Sequence, residues 1–264
     1  MWVAERSHCS TSCCQGICSL MKVMLLAAGE GQRLRPLTDQ VPKPLLRAGG
    51  QMLIERWLQT FLDAGFREFV INTWHLEDKL IAALGDGADR GISIEYSREP
   101  FLLETGGGIT RALSLLGEDD FVVVSSDIAS DFDPLGLPTS LRDALAHLVM
   151  VDNPAHHPEG DFVLDPDGRV RFGDDEERLT YSGIGLFSPA LFDNAPEGAF
   201  KLRVLLDRAI EQGRMTGQYH NGFWIDVGTK ARYETLVRHY RQKKDHKSDQ
   251  KKDRENANED DANN

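Results

Sequence analysis

The chain has 264 residues, which suits one large domain or two small ones, and its 41% hydrophobic content is ordinary for a globular protein. Its net charge of −12 argues against a protein that mainly binds nucleic acid or an anionic membrane surface. No apolar run approaches the roughly 18 residues of a membrane-spanning helix. An acidic protein that binds a polyphosphate needs local basic groups or a metal ion to overcome its own field.

The two chain ends are predicted to lie outside the folded domain, which we place at residues 21–240. All four cysteines fall in residues 1–20, in a C-x3-C-C-x3-C pattern that matches no common zinc-binding spacing. We expect this stretch to be a non-native or disordered extension, with the working protein beginning at Met21. The cysteine-free remainder suits a cytoplasmic protein. Residues 241–264 are charged and almost without apolar side chains, which is typical of a disordered tail.

The first half of the domain alternates strand and helix patterns. The predicted strands are residues 22–28, 69–72, 92–96 and 121–124, and the predicted helices are residues 53–62, 76–84 and 108–116. This alternation predicts an α/β fold with a Rossmann-like mixed, mostly parallel sheet flanked by helices. Ligands of such sheets bind at the carboxyl ends of the strands.

The second half is predicted to be a small β-rich portion. It reads as strands at residues 148–151, 180–187 and 223–226, a hairpin at 162–172, a helix at 200–212 and a last helix capped by Thr229. The hairpin prediction rests on the Pro-Asp-Gly turn that divides its two arms.

A glycine loop follows the first predicted strand and carries phosphate-binding features. Gly29 and Gly31 allow a tight turn whose backbone N–H groups can cradle a phosphate, and Arg33 adds a planar cation. Lys43 stands between two prolines that stiffen its loop. A glycine pair alone is usually only a turn. A dinucleotide fingerprint requires a third glycine where this chain has Leu34, and a Walker loop is absent.

Two aspartates follow predicted buried strands and are candidate metal ligands. Asp127 comes after the strand at 121–124, and Asp226 ends the strand at 223–226. Two carboxylates at strand ends suit one shared Mg²⁺. The alternative for each aspartate alone is a capping or loop residue. His156 and His157 are adjacent and have no evident third ligand, so we interpret them as structural or substrate-lining.

The whole string from Gly29 to Pro44 resembles the signature of the sugar-1-phosphate nucleotidyltransferases, and the likeness covers nearly all of residues 21–240. More specifically, five segments resemble the members of that family that transfer a uridylyl group to N-acetylmuramate 1-phosphate in peptidoglycan recycling. These segments are residues 103–109, 151–157, 160–162, 199–202 and 224–229.

The resemblance implies a nucleotide-diphospho-sugar transferase-like fold, Mg²⁺ as cofactor, and UTP and a sugar 1-phosphate as substrates. It assigns catalysis to Arg33 and Lys43 and the metal to Asp127 and Asp226. The implied nucleotide-binding residues are Ala27, Ala28, Gly29, Gly31, Gln32, Arg33, Lys43, Glu104, Thr105 and Gly106. Those implied for the sugar phosphate are Asn72, Ser125, Asn153, Asp161 and Lys201. For Thr105, capping a helix is an equally good alternative.

One departure bears on the sugar. Residues 125–127 read Ser-Ser-Asp where the specific relatives have Asn-Gly-Asp, so a shorter hydroxyl replaces an amide that can touch the sugar. The alternatives are a mannose-1-phosphate guanylyltransferase, a glucose-1-phosphate thymidylyl- or uridylyltransferase, and a non-catalytic nucleotide-sugar-binding regulatory protein. A dehydrogenase is disfavoured, because the second strand ends in Asn72 rather than in an acid.

Overall fold

The structure is a computed structural model that describes residues 21–173 and 177–243. The predicted extension at residues 1–20 and the predicted tail beyond residue 243 lie outside the described residues. Residues 241–243 continue the last helix beyond the predicted domain end at residue 240. In the ranges that are described, no helix is long and apolar enough to cross a membrane.

The elements follow the chain in the predicted alternating order. The strands are β1 (Val23–Leu26), β2 (Arg47–Ala48), β3 (Gln51–Met52), β4 (Glu68–Thr73), β5 (Ser93–Arg98), β6 (Phe121–Ser125), β7 (Ile128–Ser130), β8 (Ala146–Val151), β9 (Phe162–Leu164), β10 (Val170–Arg171), β11 (Arg178–Phe187), β12 (Met215–Tyr219) and β13 (Trp224–Asp226). The helices are α1 (Leu53–Asp63), α2 (Glu77–Leu84), α3 (Glu104–Leu116), α4 (Arg203–Glu211) and α5 over residues 230–243. Every predicted strand and helix is present, with shifted ends.

A nine-stranded mixed sheet forms the centre of the fold. β6, β1, β4 and β5 lie side by side and are parallel, which confirms the βαβ prediction. Strands at the centre of such a sheet are buried on both faces, and β1 and β6 are accordingly apolar without alternation. Because these strands run in the same direction, their carboxyl ends meet at one edge of the sheet.

The second half adds antiparallel strands to the same sheet. The ten-residue β11 pairs with β6, β8 and β9, so it joins the parallel half to the β-rich portion. β12 then pairs with β8 in the parallel sense. A separate ribbon of β7 and β13 sets Asp226 opposite Ile128, directly after Asp127.

Two apolar clusters cover the two faces of the sheet. One packs Trp57 and Phe61 of α1 against β1 and β4, and the other packs α3 and α4 against β6 and β8. Trp57 is only 2% exposed, and its indole N–H donates to the Ile128 carbonyl at 2.9 Å. Trp57 is thus a core residue.

Helix α3 begins at Glu104 rather than at the predicted Gly108. Its three glycines lie inside the first helical turns, where small size is required. A Cβ on Gly107 would overlap the Gly198 carbonyl oxygen, and one on Gly106 would overlap Phe200. The helix therefore packs directly against the backbone of residues 198–200.

This close packing reverses the usual effect of replacing a helical glycine. Gly→Ala normally stabilises a helix interior by roughly 0.5–1 kcal/mol. We expect Gly107→Ala instead to lower the free energy of unfolding by about 1–3 kcal/mol, because the rigid Gly198 carbonyl cannot yield. Urea unfolding measures the change. Ser114→Ala, on an exposed position of the same helix, is the control and should not destabilise; a gain in stability for Gly107→Ala would contradict the packing.

Candidate active site

A cavity of about 310 Å³ lies at the carboxyl ends of β1, β4 and β6, where the parallel sheet predicts a ligand. It is lined by Leu26, Ala27, Ala28, Gly29, Gly31, Lys43, Pro44, Asn72, Glu99, Leu102, Glu104, Thr105, Ser125, Ser126 and Asp127. A second cavity of about 590 Å³ shares Glu104, Thr105 and Ser125 with it. The two cavities therefore meet along one wall.

The glycine loop shapes one side of the first cavity. Gly31 has a φ of 65°, and a Cβ at this position would lie 2.9 Å from the Thr38 methyl group and 3.2 Å from Cβ of Lys43. Thr38 closes the turn by donating its hydroxyl to the Gly31 carbonyl at 2.8 Å. Gly29 has nothing within 4 Å of the Cβ position, so its backbone faces open space. The loop thus leaves room for a ligand against its main chain.

The two residues after this turn differ from the resemblance-based assignment in where their side chains lie. Gln32 donates its amide to the Glu30 carboxylate beside it. Arg33 is exposed on a short 3-10 turn and lines the second cavity rather than the first. Among the described residues that line the first cavity, the basic one is therefore Lys43. Arg33 belongs to the neighbouring second cavity.

Lys43 and Asp127 form an ion pair across the first cavity. The Lys43 ammonium lies 2.5 Å from Oδ2 of Asp127, and the lysine side chain is only 11% exposed. A pair that is partly shielded from water interacts more strongly than one on the surface. Each group therefore neutralises the other while both face the place where phosphates are predicted.

A chain of buried hydrogen bonds forms the floor of the first cavity. The Ala27 N–H donates to Oδ1 of Asn72 at 2.7 Å, and Nδ2 of Asn72 donates to Glu99 at 2.7 Å. The other Glu99 oxygen accepts the Leu103 N–H at 2.9 Å. Both ends of the Asn72 amide are thereby used. Asn72 lines the first cavity and braces its backbone, and its assignment to the sugar stays a prediction.

Burial raises the pKa of Glu99, while the hydrogen bonds from Leu103 and Asn72 act in the opposite direction. Glu99 was not predicted as a site residue. Its position after β5 offered a signal, because β5 runs parallel to β4 and ends at the same sheet edge.

The start of α3 forms the wall between the two cavities. Glu104 has a φ of 59°, a left-handed conformation that is uncommon for a residue with a side chain. The N–H groups of Gly106 and Gly107 both donate to the Phe200 carbonyl, at 2.9 and 3.2 Å. Thr105 is not a cap, because the capping position is Leu103 and no side chain bonds there. Thr105 instead faces both cavities.

The predicted sugar-side residues are placed differently from one another. Asp161 and Lys201 line the second cavity, and Ser125 lines both cavities. Asp161 accepts the Tyr181 N–H at 2.8 Å and lies 3.3 Å from Nε2 of His157.

Asn153 is not among the residues that line either of these cavities. Its amide donates to the carbonyls of Pro158 and Arg178 at 3.1 and 2.9 Å, and its oxygen accepts the Thr180 hydroxyl at 2.8 Å. This side chain braces a loop, and its assignment to the sugar stays a prediction.

Asp127 and Asp226, the two predicted metal ligands, lie on neighbouring backbone segments, because the Val227 N–H donates to the Asp127 carbonyl at 2.7 Å. Oδ1 of Asp226 lies 3.1 Å from Nε2 of His156, and Oδ2 lies 2.8 Å from the Arg232 guanidinium. Within the described residues, no group of three His, Cys, Asp or Glu side chains is arranged to hold a metal. A two-carboxylate site completed by substrate oxygens and water remains a prediction.

Arg232 and His156 are contacts of Asp226 that the sequence did not predict as functional. Arg232 lies in the first turn of α5, and His156 lies on the loop after β8. Both contacts join segments that are far apart in the chain, so no local pattern predicts them. The buried Oδ1 of Asp226 has no hydrogen bond of good geometry, although the ion-pair distances are short.

Comparison with known proteins identifies the family. The family model described as "Nucleotidyl transferase" matches residues 22–243. The chain is 46% identical, over 80% of its length and 95% of the relative, to the N-acetylmuramate alpha-1-phosphate uridylyltransferase of Neisseria meningitidis serogroup B. It is 34% identical to the protein of the same name from Caulobacter vibrioides, over 78% of this chain and 90% of the relative.

The fold has solved counterparts as well. A Bacillus anthracis crystal structure, provisionally assigned as a glucose-1-phosphate thymidylyltransferase, matches with a TM-score of 0.74 at 21% identity. The match covers 84% of this chain and 95% of that chain, which confirms the predicted mixed, mostly parallel sheet flanked by helices. The chain belongs to the nucleotidyl transferase family.

Proposed function

We propose that the chain joins UTP to N-acetylmuramate 1-phosphate, giving UDP-N-acetylmuramate and pyrophosphate, in cytoplasmic peptidoglycan recycling. The observation that carries the proposal is the pair of cavities that share a wall, with Lys43 and Asp127 in the first and basic side chains around the second. The relatives named for this activity, at 46% and 34% identity, support the choice of sugar and base.

The reaction needs alignment and charge neutralisation more than proton transfer. A phosphate oxygen of the sugar 1-phosphate attacks the α-phosphorus of UTP, the bond to the β-phosphate breaks, and pyrophosphate leaves. The attacking oxygen is already anionic, so no general base is required. What the protein supplies is the positioning of two mutually repelling anions and cations where charge accumulates.

The basic side chains divide this task in our proposal. Lys43 neutralises charge at the α-phosphate, because its ammonium lies inside the first cavity and is held by Asp127. Arg33 takes the leaving pyrophosphate from the side of the second cavity, using its planar fork of donors. Lys201 binds the phosphate of the sugar, since it lines the second cavity beside the anchored Phe200.

We propose that Asp127 and Asp226 hold Mg²⁺. The residues suit this ion, since both donors are carboxylates and the buried Oδ1 of Asp226 has no hydrogen bond. The ion would screen the charges of both substrates. Before it binds, Lys43 and Arg232 keep the two aspartates neutralised.

A substrate panel tests the proposal most directly. With Mg²⁺, we expect pyrophosphate release from UTP with N-acetylmuramate 1-phosphate, and loss of that activity when EDTA removes the metal. The comparison mixtures contain GTP with mannose 1-phosphate, and dTTP or UTP with glucose 1-phosphate. Activity confined to one of these mixtures would overturn the proposed substrate, and activity unaffected by EDTA would overturn the metal assignment.

Asp127→Asn tests the metal role at a single residue. We expect at least about a hundredfold loss of turnover, because an uncharged amide is a poor Mg²⁺ ligand. Thermal unfolding should show an intact fold. Asp119→Asn, at an exposed position outside both cavities, changes the net charge equally and should retain full activity. Undiminished turnover of Asp127→Asn would exclude a metal role for this residue.

Lys43→Gln tests the neutralisation of the α-phosphate. Removing one preorganised electrostatic contact typically lowers kcat by about 10²–10³-fold, and we expect a loss of that size. Lys79→Gln is the matched control, because Lys79 is an exposed lysine that donates to the Gln40 carbonyl away from the cavities. A Lys43→Gln enzyme with raised KM but unchanged kcat would contradict the catalytic role, since it would indicate ground-state binding alone.

A further inference from the structure

The second cavity is lined by basic side chains that are not equally available to a ligand. Those among its described lining residues are Arg33, His156, His157, Lys201, Arg203 and Arg232. Arg232 and His156 lie against Asp226, and His157 lies against Asp161. Within the described residues, Arg33 and Lys201 have no ion pair, and Arg203 pairs through its Nε with Asp207, which does not line the cavity.

Two of these three have a place in the proposed reaction. Arg33 follows the glycine loop, and Lys201 follows Phe200, whose carbonyl is bonded to the start of α3 at the wall between the cavities. Both therefore belong to the region where the reacting phosphates meet. Arg203 is the first residue of α4 and lies after Lys201 in the chain. The proposed reaction assigns it no phosphate.

The guanidinium of Arg203 is held in a defined orientation. Its central carbon lies 4.4 Å from the centre of the Phe162 ring, which is 1% exposed and so forms a fixed platform. Its Nε donates to Asp207, one helical turn further along α4. Stacking and this hydrogen bond fix the plane of the group.

The terminal nitrogens of Arg203 have no hydrogen-bond partner among the described residues, although the group borders the cavity. A planar guanidinium with two free terminal nitrogens is suited to a carboxylate, which it can bind through two parallel hydrogen bonds. The nearby acid, Asp161, is already matched by His157 and the Tyr181 N–H. The arrangement thus favours an acidic substituent over a neutral one.

We propose that Arg203 binds the carboxylate of the lactyl ether on the sugar and thereby selects an acidic amino sugar over its neutral counterpart. N-acetylmuramate 1-phosphate carries this carboxylate, and N-acetylglucosamine 1-phosphate is the same sugar without the lactyl group. Arg203 is then a specificity-determining residue rather than a catalytic one. The inference rests on the proposed function, because it names how that sugar is recognised.

The test compares Arg203→Gln with the wild type on both sugars, with UTP and Mg²⁺ held constant. We expect KM for N-acetylmuramate 1-phosphate to rise roughly 10–100-fold, which is typical of losing a hydrogen bond between charged groups. The KM of N-acetylglucosamine 1-phosphate, or its inhibition constant where turnover is slow, should stay within about twofold. Arg203→Lys should lie between, since it keeps the charge but loses the fork.

Two further variants serve as controls. Arg208→Gln removes an arginine from the same helix whose guanidinium donates to the Asp193 carbonyl at 3.2 Å, outside the second cavity, and should leave both sugars unaffected. Lys201→Gln should weaken both sugars alike, because both carry the phosphate. Melting curves establish that each variant is folded.

The outcomes separate the inference from the function on which it rests. If the wild type fails to use N-acetylmuramate 1-phosphate, the proposed function is wrong. If it uses this sugar and Arg203→Gln affects both sugars equally or neither, Arg203 is not the selecting residue. If Arg203→Gln is unfolded, Arg203→Lys decides: a loss confined to the acidic sugar supports the inference, and no such loss overturns it.

Discussion

The first cavity depends on a buried series of hydrogen bonds in which each donor and acceptor is fixed. Because the Ala27 N–H occupies the oxygen of the Asn72 amide, the nitrogen of that amide must donate, and Glu99 must accept. The Leu103 N–H requires an acceptor on the other side of the carboxyl group. Glu99 is therefore needed as an acceptor at both oxygens although burial raises its pKa. This series of hydrogen bonds connects the ends of β1, β4 and β5 to the start of α3.

Electrostatics explains how an acidic protein can receive the two anionic substrates that we propose. The two candidate metal ligands are held in ion pairs, Asp127 with Lys43 and Asp226 with Arg232. Partly buried pairs of this kind reduce the negative field that a phosphate meets, and they leave cations in place when the acids acquire another partner. The cations are local, whereas the net charge of −12 belongs to the whole chain.

The sequence predicts what depends on local pattern. Apolar runs and helical spacing located the parallel strands, and the glycine turn at Gly31 has the left-handed backbone that its residue type allows. The short strands β2, β3, β7 and β12 were missed, because they lack a continuous apolar run. Glu99 and Arg232 were missed because their roles arise from contacts with distant segments. The bonds of Asn72 to Ala27 and Glu99 were not predicted either, because a lone amide carries no signal of its partners.

The backbone contact between α3 and residues 198–200 has a mechanical consequence. The Gly106 and Gly107 amides are bonded to the Phe200 carbonyl, and these glycines pack closely against residues 198–200. The wall between the two cavities is therefore held in place. A shift of α3 along residues 198–200 would break these contacts, so neither cavity is expected to widen in that way. We expect any movement on ligand entry to involve the loops that line the cavities away from this wall, which carry Gly29 and Gly31 in the first cavity and His156 and His157 in the second.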